Sequence, residues 1–113
     1  MTIWYYSGMI KKYNTILYMI IKVVISPLKT KKYRAIMSDG SKIDFGLKGS
    51  STYLDHKDET KRNNYRVRHL ANNREHYLIK HLIPSPALLS FYLLWGPYVN
   101  IHHNIQYLNE MLK

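Results

Sequence analysis

The chain has 113 residues, enough for one domain with a single modest core and too few for two. It carries 17 Lys and Arg against 7 Asp and Glu, a formal charge of +10, and no cysteine. Disulfides and thiolate metal sites are therefore excluded, and the long-range field attracts anions such as nucleic acid, an anionic membrane surface or acidic protein.

Residues 1–18, with Trp4, Tyr5, Tyr6, Tyr13 and Tyr18, read as an appended arm or an overlong start assignment, since Met9 and Met19 offer later starts beside Met1. The longest uncharged run here, Tyr13 to Ile21 between Lys12 and Lys22, is far short of the roughly 20 apolar residues of a membrane-spanning helix. No transmembrane segment is expected. No small-residue cleavage site follows Ile25, which argues against a secretory signal. A compact α+β domain is expected over 19–97.

Strand chemistry begins at Ile20. Ile20, Ile21, Val23, Val24 and Ile25 are β-branched, and Pro27 stops the run because it lacks a ladder donor. Leu28 to Lys32 read as a basic connection. Tyr33, Ala35 and Met37 then alternate with Arg34 and Ile36, Asp39-Gly40 signals a hairpin turn, and Ile43 and Phe45 alternate with Lys42 and Asp44. The short connections predict a three-stranded antiparallel meander, with Asp44 facing outward. Gly46 and Gly49 bracket a turn, and Ser50 to Thr52 continue as a polar loop.

Asp58 is suited to cap a basic helix with Glu59 in its first turn, running to about Ala71 and ended by Asn72 and Asn73. Arg62, Tyr65, Arg66 and His69 fall at helical spacing on one side, with Arg68 one turn from Tyr65. Three readings stay open for these residues. One is a solvated surface helix. Another is phosphate contact, because Arg offers a planar fork of donors and Tyr can stack on a base. The third is pairing of Arg62 or Arg68 with a carboxylate on a neighbouring protein. On either binding reading, Arg62, Tyr65, Arg66, Arg68 and His69 are the partner- or phosphate-binding set. Replacing Arg62, Arg66 and Arg68 together by Glu is then expected to abolish DNA affinity with the fold intact. Asp55, His56, Asp58 and His69 are suitable metal-ligand types without a ligand spacing such as His-Glu-x-x-His. Neither a metal, a cofactor nor a catalytic residue is expected, and the chain is not read as an enzyme.

Arg74, Glu75, His76 and Lys80 lie in a polar link. Ser85-Pro86 is a compact helix start, and the following run to Trp95 is apolar on nearly every face before Gly96 and Pro97 stop it. Such a helix must be buried from several sides, by its own sheet or by a partner, and Phe91, Tyr92 and Trp95 are its candidate docking residues. Residues 98–113 read as a tail with Ile101, Ile105, Leu108 and Met111 or Leu112 at the spacing of a second, weaker amphipathic helix.

The ordered set Val23-Val24-x-Ser26-Pro27, Lys31-Lys32-Tyr33-Arg34-Ala35-Ile36, Asp39-Gly40-Ser41-Lys42-x-Asp44-Phe45-Gly46, His56-Lys57-Asp58, Arg62-x-x-Tyr65-x-x-Arg68-His69 and Leu89-Ser90-x-Tyr92-x-Leu94-Trp95 resembles an uncharacterised family of short basic proteins from nucleocytoplasmic large DNA viruses, the giant algal and amoebal viruses. The chain departs from that pattern at Phe91, where the family often has Arg, and at Tyr77, where it tends to have Trp. The resemblance implies a viral protein without established chemistry. It suggests a minor capsid or core component of the virion that docks on other virion proteins, acts inside the host cell during assembly and is compatible with an oligomer. The alternative is a sequence-non-specific nucleic-acid-binding accessory protein with viral DNA as its partner.

Overall fold

The computed structural model describes residues 18–113, so the expected arm lies outside the described residues except for Tyr18. Strands β1 (Ile20–Ile25), β2 (Lys31–Met37) and β3 (Lys42–Leu47) form the antiparallel meander in the order β1-β2-β3. The chain is α+β, as its patterning predicts. The β2–β3 turn closes on Gly40 at φ +88, while Asp39 Oδ1 accepts from the Ser41 amide at 2.9 Å and its hydroxyl at 2.6 Å. Register then follows from alternation. Ala35 lies opposite Ile43 and Tyr33 opposite Phe45, with Ala35, Met37 and Phe45 buried on one face. On the other face Arg34 lies opposite Asp44 and donates to both its carboxylate oxygens, at 2.9 and 3.0 Å, while Ser26 adds a 2.7 Å bond. These donors hold the Asp44 carboxyl below its ordinary range.

The helices are α1 (Tyr53–His56), α2 (Glu59–Leu70), α3 (Asn73–Lys80), α4 (Pro86–Leu89) continuing as a π-turn (Ser90–Leu94), and α5 (Ile101–Leu112). Asp58 caps α2 by accepting from the Thr60 and Lys61 amides. The polar loop expected at Ser50 to Thr52 leads directly into α1, where the Asp55 carboxylate accepts from the Thr52 amide at 2.8 Å. The expected polar link after it is largely α3. Asn72, read as a stop, also starts the next helix, because its side chain accepts from the Glu75 amide at 3.0 Å. One Asx residue can end one helix and cap another, and polarity alone does not reveal which.

Leu88, Leu89, Leu93, Leu94 and Leu108 are at most 1% exposed and cover the buried face of the sheet. The π-turn explains how the two leucine pairs share a side. Five residues advance an ordinary α-helix by about 140° beyond one turn, which would send Leu93 and Leu94 away from Leu88 and Leu89. The wider turn, bonded from the Trp95 amide to the Ser90 carbonyl at 3.1 Å, reduces that rotation. Gly46 permits the approach from below, since a Cβ there would stand 3.0 Å from Leu94 Cδ1.

Residues 98–113, read as a tail, belong to the core. Leu108 is fully buried, and Asn104, also fully buried, donates to the Leu93 and Tyr98 carbonyls and accepts from the Tyr98 amide. Asn109 exchanges two bonds with the Ile20 amide and carbonyl, at 2.8 and 3.0 Å, as a strand neighbour would. The β1 edge is thereby closed at its first residue.

Candidate anion-binding cleft beside the basic helix

Helix α2 has no fully buried residue, yet its arginines differ in what they do. Arg62 and Arg66, four residues apart, share the stripe that faces the end of the π-turn. Arg62 Nε donates to the Gly96 carbonyl at 2.8 Å. Arg66 donates to the Trp95 carbonyl at 2.8 Å and the Phe91 carbonyl at 3.2 Å, with its guanidinium 3.8 Å from the Phe91 ring centroid. These carbonyls sit where a helix end leaves acceptors unpaired and the dipole is negative, so the two cations cap one helix from another. Desolvation pushes the Arg66 pKa down from its ordinary value. The expectation that Arg62, Arg66 and Arg68 can all be reversed in charge with the fold intact gives way here, because two of the three are internal ties.

The remaining members of the set form an aromatic column. The Tyr65 and Trp95 rings stack at 4.3 Å and 6°, the His69 ring lies 4.0 Å from Tyr65, and the His56 ring lies 5.2 Å from Trp95. Burial and the nearby Glu75 carboxylate raise the Tyr65 phenol to about 12. His69 Nδ1 lies 2.5 Å from Glu75 Oε1, and because an ionised carboxylate only accepts, the ring donates to it from Nδ1. Arg68 is exposed, its guanidinium 5.8 Å from the Tyr65 ring centroid.

The candidate docking residues are spent within the chain in the same way. Phe91 is 2% exposed beneath Arg66, Trp95 is partly buried against Tyr65, and Tyr92 is partly buried 5.1 Å from Phe91. The apolar helix is thus covered by its own domain, with α5 and the sheet supplying area that a three-stranded meander alone would lack.

An open cleft of about 490 Å³ lies between the β3 edge and α2. Its lining includes Lys31, Leu47 and the Ser50-Ser51-Thr52 loop, Tyr65, Arg68 and His69 of α2, and Pro86, Leu94 and Trp95. In sequence this loop is only a polar connection. Its spatial meaning depends on β3, α2 and the α4 region lining one cleft, a juxtaposition of distant segments with no local signature. No group of three or more metal-ligating side chains occurs among the described residues. Chemically, the cleft offers cations, hydroxyls and an apolar base, which together suit an anionic ligand with a flat or apolar part.

A model of a family of unknown function (DUF5754) matches residues 21–69, from β1 through most of α2. That segment supplies Leu47, the serine loop, Tyr65, Arg68 and His69 of the cleft, while Trp95 and the α4 residues lie beyond it. No curated protein and no solved structure matches the chain.

Proposed function

We propose that this chain is a small non-enzymatic nucleic-acid-binding protein that engages the phosphate backbone without sequence preference. The carrying observation is how the charges are disposed. The carboxylates are largely engaged close to home: Asp44 with Arg34, Asp55 with Lys32 at 3.6 Å, Glu75 with His69, Glu110 with Lys113, Asp39 in its turn and Asp58 at its cap. By contrast Lys22, Lys29, Lys42, Lys48, Lys57, Lys61, Arg68, Arg74 and Lys80 are exposed, and none forms an ion pair among the described residues. Uncompensated surface cations are what displaces counterions from a phosphate backbone.

Titration of the full chain with labelled DNA across a salt series tests this reading. Each phosphate contact is expected to contribute roughly 0.9 to the slope of log affinity against log salt. Absence of binding at low salt removes the reading.

A second reading, a minor virion component docking on other virion proteins, draws on the exposed β1 edge. Ile21 is 64% and Ile25 71% exposed, and a groove of about 560 Å³ runs from these residues to Ile101 and Ile105 of α5. If that edge docks, recovery of the chain in purified particles will be lost in the Ile21→Lys/Ile25→Lys variant; unchanged recovery removes the edge from consideration.

A further inference from the structure

We infer that the cleft between the β3 edge and α2 is a single-strand pocket, taking one nucleotide unit of an unpaired nucleic acid. The inference rests on the nucleic-acid reading above and narrows it from a diffuse charged surface to one place and one strand form.

Three observations converge on it. First, the cleft has the size of a small-ligand site. Its volume of about 490 Å³ falls within the roughly 300–1,000 Å³ of small-ligand sites, a scale that suits one extruded nucleotide and not the side of a duplex. Second, its polarity is divided in the way a nucleotide is divided. Lys31 and Arg68 lie among the lining residues as phosphate partners, Ser50 and Ser51 contribute hydroxyl-bearing side chains, and Leu47, Pro86, Leu94 and Trp95 offer an apolar surface for a base or sugar. Leu47 is 64% exposed on the edge strand, a position where an aliphatic side chain gains by being covered. Third, the one carboxylate in the lining, Glu75, is held by His69 and so opposes an incoming phosphate less than a free acid would.

The aromatic column shapes the pocket rather than opening to intercalation. Tyr65 has Trp95 on one face and His69 on the other, so a base meets ring edges and aliphatic groups. Binding beside a preformed column requires little ordering of the protein, which lowers the cost of association. The surrounding cations, Lys48 among them, would supply the salt-dependent remainder and steer the strand to the cleft.

Trp95 provides a local reporter. The experiment uses the full chain in a Trp4→Phe background, so that Trp95 is the remaining tryptophan of the two, with a short oligodeoxythymidine and a hairpin duplex of equal charge as probes at one salt concentration. The expected result is about tenfold tighter binding of the single strand, accompanied by a change in Trp95 emission that the duplex does not produce. Ser51→Trp would confuse that signal, so occlusion is tested with Ser51→Tyr, which fills the cleft without changing charge; it is expected to remove the single-strand preference while leaving weak duplex binding. Arg68→Glu is expected to lower single-strand affinity at least tenfold with an unchanged melting temperature. Equal affinity for both probes, or a preference that survives both variants, overturns the pocket and leaves the broader nucleic-acid reading standing. Failure of both probes to bind overturns both readings.

Discussion

Arg66 and Arg68 stand two residues apart on the same helix, and they belong to different parts of the molecule. Arg66 points into the carbonyl-rich end of the π-turn, half desolvated, with two acceptors and an aromatic ring beneath it. Arg68 stays in solvent beside the cleft. The side chains are identical; the acceptors nearby are not. Positive charge counted from a sequence is therefore not charge available to a partner, because unpaired carbonyls at a helix end compete for it as effectively as phosphate does.

The strongest way to break this contrast is to reverse Arg66. Arg66→Glu removes two charge-assisted bonds, each worth about 1.5–3 kcal/mol, and places an anion against carbonyl oxygens. A loss of about 4 kcal/mol is expected, read as a lower denaturant midpoint. A loss below about 1 kcal/mol would mean that Arg66, like Arg68, is a surface cation.

Tyr65 sharpens the contrast from the aromatic side. Its phenol is raised from 10.0 to about 12 in the folded chain, so folding favours the neutral form. The associated stability is present below the unfolded value near 10 and is lost as pH rises towards 12, by about 3 kcal/mol in all. Thermal melts of the parent and Tyr65→Phe compared over that window should show the parent losing stability more steeply. Parallel curves would place Tyr65 in a solvated setting.

The smallest expected effect is that of Arg68→Glu on stability, within about 0.5 kcal/mol, as for surface substitutions away from caps and networks. A larger loss, measured by the same denaturant titration, would show that its contact with Tyr65 is structural and would erase the distinction between the two arginines.

Much of the fold was legible because local rules and tertiary demands agree. β-Branched runs, the Asp39-Gly40 turn, the Asp58 cap and Ser85-Pro86 each act within a few residues, and the structure keeps all of them. Helix α3 was missed because Asn72 and Asn73 serve equally well as an ending and a beginning, and the exposed polar surface of α3 gives little apolar period. The candidate site was only half legible. Tyr65, Arg68 and His69 were singled out and do come together, but their partners Leu47, Ser51, Glu75 and Trp95 arrive from other elements.

By itself the sequence determined the meander, the basic helix, the buried apolar helix and the excess of cations, since each follows from alternation, capping or composition. Only the tertiary structure decided which cations are spent. The carbonyls of Phe91, Trp95 and Gly96 become acceptors for Arg62 and Arg66 because the π-turn ends against α2, more than twenty residues away along the chain. It also decided that residues 98–113 are core, because Asn104 and Asn109 satisfy backbone groups that no local segment could reach. Hydrogen-bond demand between distant elements has no periodicity, and so it leaves no pattern in the order of residues.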